Sequence, residues 1–531
     1  MTHFRLVQEF LEKSAQKLPD KIALVCGERR LTYAEIDEKA NRVANALKNM
    51  GVSRGDRVAL FMQNSVELVI GIFAVLKADA VFVVINPTTK PDKLVYILNN
   101  CAVTCLFFSP QQKMDWGEIR QHCPSLKAFV LTHGESIHLS ENKNVYLFDE
   151  ILKTSPSNRP IPKNIDLDLA CLIYTSGSTG EPKGVMSDHS NIIFAVDSIT
   201  SYIGNTEDDI VIDVLPLSFD YGLYQLLMVF SFGGRLILEK GFNYPAQILT
   251  QIEKEKVTGF PGVPTIFSML VNMDLSSYDL SSLRYMTNTA ATLPPAHILK
   301  IRDTFPNVKL FSMYGLTETK RTLYLPPSQL DAKPDSVGIA IPGTEVWIED
   351  ENGNRLGAGE VGELVVRGRH VMRGYWGDPD KTARGFYRRV TAGGGEDLFY
   401  RTGDLVQLLP DGNYKYLGRK DRQIKTRGYR VELDEIEVAL LSHEGVQEAA
   451  VYPMPDGQGS NLIEAAVTPK AGATFTEADL IGYIARRLPP YALPVHIAIL
   501  TDFPRTSTGK IDRRALQAQA THATHATIAG A

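Results

Sequence analysis

Short apolar runs alternate with helix-length amphipathic segments in the N-terminal part of the chain, and this alternation most constrains the fold. The runs RVALFM (57–62), VFVVIN (81–86) and CLFFS (105–109) have the length of buried strands. Between them lie ELVIGIFAVLKA (67–78) and KPDKLVYILNN (90–100), which have the length and pattern of helices. Strands that alternate with helices typically form parallel sheets. The sequence therefore predicts an α/β fold of parallel, helix-covered sheets.

The character of the sequence changes twice after this part. From about residue 335 to 420, turn residues punctuate short strands, as in EVWIEDENGNRLGAGEVGELVVRG (345–368), and predict a small β-barrel-like subdomain. After LGRKDRQIKTRG (417–428), a helix–strand–strand–helix pattern predicts a small mobile α+β domain. At 531 residues the chain exceeds the size of one core. We predict a large N-terminal domain over 1–420, a small C-terminal lid domain over 421–516 and a disordered tail over 517–531.

Composition argues against several classes of partner. The formal net charge is -5 and the basic residues are scattered, so the chain has no basic stripe for nucleic acid. There is no run of eighteen apolar residues, and the first twenty residues resemble an amphipathic helix rather than a signal peptide. The five cysteines show no CxxC spacing, which argues against a zinc site. We expect a cytoplasmic protein with reduced cysteines and no membrane span.

The segment YTSGSTGEPKG (174–184) carries the strongest chemical signal and follows the apolar run LACLIY (169–174). Its glycines let backbone amides approach an anion, while its hydroxyls and its lysine supply further donors. It is not a Walker A loop, because the G-K-[ST] ending is missing. A mobile linker is the alternative. The residues predicted to bind phosphate are Thr175, Ser176, Gly177, Ser178, Thr179, Gly180 and Lys183.

A second motif, MYGLTE (313–318), places an aromatic ring, a hydroxyl and a carboxylate within five residues. Tyr314 can stack on a purine, although a core aromatic would look the same. Thr317 can donate to a phosphate, and Glu318 can hold Mg²⁺, which proteins commonly bind through one or two carboxylates together with phosphates. The motif predicts a nucleotide site that includes Gly315.

The segment YRTGDL (400–405) places Asp404 after a glycine, at what we predict to be a strand end. There a carboxylate can accept hydrogen bonds from both hydroxyls of a ribose. An aspartate that only forms a turn is the alternative.

These motifs occur in an order that resembles the AMP-forming adenylating superfamily, which includes acyl-CoA synthetases, adenylation domains of peptide synthetases and luciferases. The resemblance extends from LTYAEIDEKANRVANAL (31–47) to PRTSTGKIDRRAL (504–516). Three further motifs support it: GELVVRG (362–368), GRKDRQIKTRGYRVELDEIE (418–437) and the STGK that ends at Lys510. The resemblance implies an acid–thiol ligase that uses ATP and Mg²⁺, and it implies the same roles for the residues of MYGLTE.

The resemblance also assigns roles to four residues near the C-terminus. Lys510 would contact the substrate carboxylate and the α-phosphate, where a fixed cation stabilises the charge that develops during attack. It would be catalytic together with the threonine and glutamate of MYGLTE. Arg419 would lie near the ribose and phosphate. After rotation of the small domain about a hinge at Asp421, Gly428 would line the tunnel for the acceptor thiol. The alternatives are a surface lysine, a surface salt bridge and a turn glycine.

The segment LPLSFDYGLYQL (215–226) places one carboxylate, Asp220, in an otherwise apolar run. A buried carboxylate needs a cation, a donor or water beside it. In amino-acid-activating members of the superfamily, an aspartate in such an FD pair binds the α-ammonium group of the substrate. Asp220 could instead be the N-cap of the helix YGLYQLLMVF (221–230). Some stand-alone acyl ligases also carry a PLSFD segment.

The resemblance to the superfamily also predicts which residues line the substrate pocket. We expect it to be lined by Phe219, Asp220, Tyr224, Thr289 and Ala290. The chain departs from the family pattern in two places: the stretch YMTNTAATLPP (285–295) lacks the usual glycine turn, and Asp79 stands where glycine is usual.

The predicted reaction is ATP-dependent adenylation of an amino acid, a small one such as proline, followed by transfer to the phosphopantetheine thiol of a separate carrier protein. The alternative is an acyl-CoA synthetase that transfers a fatty or aryl acid to coenzyme A. A non-catalytic nucleotide-binding protein is disfavoured, because Lys183, Glu318 and Lys510 are all present. Because no carrier segment follows Lys510, we expect a free-standing enzyme.

Overall fold

A computed structural model describes residues 4–111, 114–132, 144–175, 181–289, 293, 295–390, 393–420, 422–457, 460–470, 472–505 and 511–520. The elements up to residue 203 are α1 (Glu9–Lys17), β1 (Ile22–Cys26), β2 (Arg29–Thr32), α2 (Tyr33–Asn49), β3 (Arg57–Phe61), α3 (Val66–Lys77), β4 (Val81–Ile85), α4 (Pro91–Asn100), β5 (Val103–Phe108), α5 (Trp116–His122), β6 (Ala128–Leu131), β7 (Val145–Leu147), α6 (Phe148–Thr154), β8 (Leu169–Thr175), β9 (Lys183–Asp188) and α7 (His189–Ile203). They confirm the predicted alternation of strands and helices.

A second run of alternating elements follows. It consists of β10 (Ile210–Asp213), α8 (Asp220–Phe232), β11 (Arg235–Leu238), α9 (Pro245–Glu255), β12 (Gly259–Gly262), α10 (Pro264–Leu270), β13 (Tyr285–Asn288), α11 (Pro295–Thr304), β14 (Lys309–Tyr314), β15 (Leu323–Leu325), the short 3₁₀ helix Pro327–Gln329 and β16 (Ile339–Ala340).

The two runs build two large sheets. The first sheet has the strand order β7-β6-β5-β3-β4-β8-β9, and the second has the order β16-β15-β14-β13-β12-β10-β11-β1-β2. Neighbouring strands inside both sheets are parallel, and the antiparallel pairs lie at the edges. The predicted fold class is therefore confirmed.

Helices of the two sheets pack against each other in one shared core. Every residue of α3 is buried, as expected for a helix that is apolar on all sides. The Phe73 ring of α3 stacks on the Phe230 ring of α8 with centroids 5.1 Å apart, and the Tyr33 ring of α2 meets Phe230 edge-on at 5.3 Å. Such aromatic pairs contribute about 0.5–1.5 kcal/mol each beyond their buried area. The packing holds the two sheets in a fixed relation.

The remaining elements form smaller units. A five-stranded antiparallel sheet contains β17 (Glu345–Glu349), β18 (Val361–Arg367), β19 (Phe386–Val390), β20 (Glu396–Leu408) and β21 (Tyr414–Arg419), with α12 (Pro379–Gly385) beside it. The hairpin β22 (Gln423–Thr426) and β23 (Tyr429–Glu432) leads into α13 (Leu433–Leu441), β24 (Val446–Pro455), β25 (Asn461–Pro469), α14 (Glu477–Ile484), the 3₁₀ helix Pro490–Ala492 and β26 (His496–Ile499). This order includes the predicted helix–strand–strand–helix pattern, and the domain boundary at Asp421 stays a prediction.

Asp79, the residue at a position where glycine is usual in the superfamily, follows the end of α3. Its φ of 63° is in the left-handed region, which normally favours glycine. The buried Asp79 carboxylate accepts from the Lys163 backbone N–H at 2.8 Å and pairs with Lys48 Nζ at 3.1 Å. These contacts compensate for the backbone strain, so the aspartate is a structural substitute for glycine.

All five cysteines are free, and four of them are buried. In the part of the chain that the structure describes, no helix is both long and apolar enough to cross a membrane.

Candidate active site

The candidate site lies where strands of the two sheets end. Strands β10, β12, β13 and β14 run parallel, so their carboxyl ends meet at one edge of the second sheet, the usual place for a ligand in such sheets. Thr175, at the end of β8, belongs to the first sheet. Between these ends lies a cavity of about 180 Å³, whose lining includes Thr175, Phe219, Asp220, Tyr221, Thr289, Gly315 and Thr317.

Most residues predicted to bind substrate are thus brought together by the fold. Tyr224 is the exception among those described, since its fully buried side chain lies behind the cavity wall. Its hydroxyl has no hydrogen-bond partner among the described residues. Ser176, Gly177, Ser178, Thr179, Gly180, Ala290, Asp421 and Lys510 lie outside the described residues.

Asp220 is the first residue of α8, and the interpretation of Asp220 as an N-cap is wrong. The residue at the N-cap is Phe219, and no side chain caps the helix. Asp220 instead meets two cations of the loop after β14. Lys320 Nζ lies 2.6 Å from Oδ1, and Arg321 NH1 donates to Oδ2 at 3.1 Å. The Lys320 contact is an ion pair without hydrogen-bond geometry, because Oδ1 has no hydrogen-bond partner among the described residues.

Sequence reasoning missed Lys320 and Arg321, which directly follow MYGLTE and one threonine. Both side chains are almost completely buried and both line the cavity. A signal was present in the sequence. The run TKRTLYL (319–325), which ends in β15, contains two consecutive cations. Two adjacent cations are unusual in a buried segment unless an acid lies nearby. Asp220 is that acid.

Glu318 is fully buried at the other side of the same loop. Arg430 NH1 donates to both of its carboxylate oxygens, at 3.0 and 2.8 Å, and the Tyr375 hydroxyl donates to Oε1 at 2.7 Å. Lys183 Nζ lies 3.9 Å away. Burial alone would raise the pKa of Glu318, but Arg430 and Lys183 hold it below its usual range. Burial and the neighbouring Arg430 lower the pKa of Lys183 to about 8.

The donor chemistry at Glu318 fits Mg²⁺ only in part. An ionised carboxylate together with substrate phosphates and water is a common ligand set for Mg²⁺. No cluster of three or more metal-ligating side chains occurs among the described residues, so phosphates would have to supply the remaining ligands. When bound, the ion would neutralise charge on the phosphates. In the present arrangement, however, both oxygens of Glu318 are used by Arg430.

A second cavity, of about 420 Å³, adjoins the first and contains the residues predicted to bind adenosine: Tyr314, Asp404 and Arg419. Arg419 NH1 donates to Asp404 Oδ1 at 3.0 Å, and the Tyr314 hydroxyl donates to Oδ2. Burial raises the pKa of Asp404, while Arg419 and the Tyr314 hydrogen bond lower it. The roles of the three residues toward a nucleotide stay predictions.

The prediction that Asp404 lies at a strand end is wrong. Strand β20 continues from Glu396 to Leu408, so Asp404 lies inside it. The preceding Gly403 has a φ of 73°, and the register with β21 shifts just after Leu405. This bulge interrupts the regular alternation and lets Asp404 reach the cavity. Gly403 in the sequence therefore indicates a β-bulge and not a strand end.

The β22–β23 hairpin covers the site. Its turn residue Gly428 lines the first cavity and has a φ of 84°, and its place in a thiol tunnel stays a prediction. The Tyr429 ring meets the Phe219 ring edge-on at 4.9 Å, and Lys93 of α4 pairs with Glu435 of α13. Lys425 Nζ lies 3.5 Å from the Gly315 carbonyl oxygen, and burial lowers its pKa to about 8. The hairpin therefore lines both cavities.

A side chain at position 428 should impair the step that uses the tunnel. A Cβ there would lie 2.9 Å from Val263 Cγ1 and would also strain the backbone. We expect Gly428→Ala to slow transfer to the thiol by about tenfold or more while adenylate formation changes little. Single-turnover assays of each step measure this. Gly412→Ala is the matched control, since Gly412 has the same φ of 84° but nothing within 4 Å; equal effects of the two variants would contradict the role of Gly428.

Known proteins match this chain along almost its whole length. Residues 11–376 match the family model of the AMP-binding enzymes, and residues 435–510 match that of the AMP-binding enzyme C-terminal domain. Gramicidin S synthase 2 from Brevibacillus brevis is 32% identical over 523 residues, which cover 97% of this chain and 11% of that relative. The dimodular nonribosomal peptide synthase from Bacillus subtilis (strain 168) is 32% identical over 530 residues, which cover 97% of this chain and 22% of that relative. The chain thus spans only a small part of these relatives.

Solved structures show the same fold. The amide bond synthetase McbA from Marinactinospora thermotolerans superposes with a TM-score of 0.86 at 25% identity, covering 96% of this chain and 99% of that one. The anthranilate CoA ligase AuaEII in complex with anthranoyl-AMP gives a TM-score of 0.73 at 28% identity, covering 99% of both chains.

The chain belongs to the AMP-binding enzyme family. The resemblance inferred from the motifs is therefore confirmed, and so is the predicted class of enzyme, an AMP-forming ligase.

Proposed function

We propose that the chain adenylates an amino acid with ATP and transfers the aminoacyl group to the thiol of a separate carrier protein. The relatives that match along almost the whole chain are named as peptide synthases, and peptides are assembled from amino acids. The predicted binding residues that the structure describes gather around two adjoining cavities. An activating enzyme needs this arrangement, because the acid must meet the α-phosphate of the nucleotide.

The amino-acid assignment rests on one observation, the missing hydrogen-bond donor at Asp220 Oδ1 among the described residues. This buried oxygen lies in an ion pair with Lys320 but has no hydrogen-bond partner among the described residues. A buried acceptor without a directed donor costs free energy, and a substrate N–H would supply that donor. The α-ammonium group of an amino acid is a strong donor of this kind. Asp220 would thereby orient the substrate with its carboxylate toward Gly315 and Thr317.

In the first step, the substrate carboxylate attacks the α-phosphorus, a P–O bond forms, and pyrophosphate leaves with the electron pair of the broken P–O bond. Thr175 and Thr317 line the cavity where the phosphates would lie, and the buried Thr175 hydroxyl has no hydrogen-bond partner among the described residues. Lys183 and, by family resemblance, Lys510 would stabilise the charge on the phosphates. Asp404 would bind the ribose.

In the second step, a thiol attacks the carbonyl carbon of the adenylate, a C–S bond forms, and AMP leaves as the C–O bond breaks. Gly428 has no side chain, so the arm that carries the thiol could pass beside it into the cavity. Phe219 lines the same cavity and packs edge-on against Tyr429, and it would help to exclude water, which would otherwise hydrolyse the adenylate.

Asp220→Asn tests the assignment. We expect the KM for the activated amino acid to rise by about tenfold to hundredfold, because a charged hydrogen bond to the ammonium group is lost. The KM for ATP should stay within about twofold. Pyrophosphate exchange into ATP, measured over a panel of amino acids and simple carboxylic acids, gives both constants. Asp209→Asn is the control, since Asp209 pairs with Arg284 at the opposite end of β13. Exchange with no amino acid in the panel would refute the proposal.

One observation favours a second candidate, an acyl-CoA or aryl-CoA ligase. Lys320 and Arg321 of the protein itself pair with the Asp220 carboxylate. A substrate without an amino group could therefore bind without leaving the charge of Asp220 unbalanced. The neighbour AuaEII is named as an anthranilate CoA ligase. AMP release that depends on a fatty or aryl acid together with coenzyme A, with no response to amino acids, would support this candidate.

A further inference from the structure

Three charged side chains meet at the floor of the substrate cavity. The side chains of Asp220, Lys320 and Arg321 are 13%, 0% and 2% exposed. They sum to one positive charge in a nearly dry environment, where each charge needs a partner. A second acid, Asp213, acts electrostatically on Arg321, but burial raises the pKa of Asp213 well above its ordinary value. Asp220 therefore lies between two cations of the same loop.

Arg321 is held in one orientation from several sides. Its NH1 donates to Asp220 Oδ2 at 3.1 Å, and its NH2 lies 3.5 Å from the Tyr221 carbonyl oxygen. Its guanidinium carbon lies 4.6 Å from the centroid of the Tyr221 ring and 5.7 Å from that of Tyr224. Planar guanidinium groups stack well on aromatic rings, which a lysine cannot reproduce. Arg321 thus fixes Oδ2 of Asp220, while Oδ1 lies beside Lys320 Nζ and has no hydrogen-bond partner among the described residues.

A tight turn in the backbone holds both cations against Asp220, the first residue of α8. Lys320 has a φ of 55°, a left-handed conformation that is unfavourable for a residue with a Cβ. The turn is so tight that a Cβ on Gly315 would lie 1.7 Å from the Lys320 carbonyl oxygen. Lys320 Nζ also lies 3.3 Å from the Thr317 carbonyl oxygen. The loop that carries the predicted phosphate and metal ligands is therefore the one that holds the Asp220 counter-charges.

We infer that Arg321 is a positioning residue that sets selectivity for the amino group of the substrate by fixing the Asp220 carboxylate, with Lys320 as the second counter-charge. This inference rests on the proposed function. Arg321 acts through Asp220: it holds Oδ2, so that Oδ1 stays in position to accept a hydrogen bond from the substrate ammonium group. Selectivity for the substrate amino group thus depends on all three residues of the cluster, since Asp220 without its two cations would not be held in position.

The measurement is the ratio of kcat/KM for the activated amino acid to kcat/KM for the same acid without its amino group. Arg321→Met keeps the volume and removes the charge. We expect the ratio to fall by about tenfold to hundredfold, through a higher KM for the amino acid, while the KM for ATP changes by less than about twofold. Arg321→Lys should restore part of the ratio. Arg284→Met is the control, because Arg284 pairs with Asp209 far from the cavity and should leave the ratio unchanged.

A double-mutant cycle separates positioning from a general structural role. If Arg321 acts through Asp220, Arg321→Met should change the ratio by less than about twofold in an Asp220→Asn background. An equal fall in both backgrounds, or a parallel rise in the KM for ATP, would overturn the inference. If Arg321→Met does not fold, the same cycle with Arg321→Lys decides the question. An enzyme that activates only acids without an amino group would refute the proposed function and this inference together, whereas absent coupling in an amino-acid-activating enzyme would refute the inference alone.

Discussion

Glu318→Gln is expected to lower adenylate formation by about 10²- to 10³-fold, the loss typical when a group that stabilises transition-state charge is removed. The amide keeps the shape of the side chain but loses its charge, so it would bind a metal ion that neutralises the phosphates much more weakly. Pyrophosphate exchange measured across a range of Mg²⁺ concentrations would show the loss at every concentration.

The reason for so large an effect lies in the surroundings of Glu318. The carboxylate is fully buried, and Arg430 and Lys183 keep its pKa below the usual range despite that burial. Burying an ionised acid beside two cations costs desolvation free energy, and such groups with shifted pKa values occur often at functional sites. This supports a functional role for Glu318. Tyr375→Phe is the matched control, because it removes one hydrogen bond to Glu318 and leaves the charge. We expect the control to lose less than about tenfold; wild-type exchange in Glu318→Gln would contradict the assignment.

Sequence patterns predicted the parts of the fold that depend on local periodicity. Residues 57–108 show this, because each apolar run became a parallel strand and each amphipathic run became a helix. The structure places MYGLTE at the end of a strand, since β14 ends at Tyr314. Local periodicity suffices here because the side chains that face the core repeat with the period of the element.

The charge partners could not be predicted, because they are separated widely along the chain. Arg430 is 112 residues from Glu318, and Arg321 is 101 residues from Asp220. Periodicity says nothing about such pairs, which depend on how the sheets and the hairpin pack. The sequence therefore predicts a substrate ammonium group or a helix N-terminus as the partner of Asp220, whereas two cations of the protein itself lie beside it.

Bulges and left-handed residues were a second source of error. The sequence predicts a strand end at Asp404, but Asp404 lies inside β20, directly after the left-handed Gly403. Asp79 could not be interpreted from the sequence, because the contacts that stabilise its left-handed conformation come from residues 48 and 163. A glycine pattern shows where the backbone is unusual, while the surrounding structure determines what the irregularity does.

Arg430→Met should separate the two steps of the reaction. We expect transfer to the thiol to slow by about tenfold to hundredfold, because the hairpin loses a buried, charge-assisted contact with Glu318. Adenylate formation should be retained and should need less Mg²⁺ for half-maximal rate. Single-turnover transfer to a thiol acceptor measures the first effect, and a Mg²⁺ titration of pyrophosphate exchange measures the second.

The expected split follows from the geometry of Glu318. Since the carboxylate is fully buried and both of its oxygens accept from Arg430, Arg430 would compete with a metal ion for these oxygens while the hairpin covers the site. Arg430 and a metal ion would therefore bind Glu318 in turn, the metal ion when the phosphates of ATP are present and Arg430 after pyrophosphate has left. Arg427→Met is the matched control, because Arg427 is an exposed arginine in the turn of the same hairpin. Equal slowing of both steps in Arg430→Met, or an unchanged Mg²⁺ requirement, would show that Arg430 only supports the packing of the hairpin.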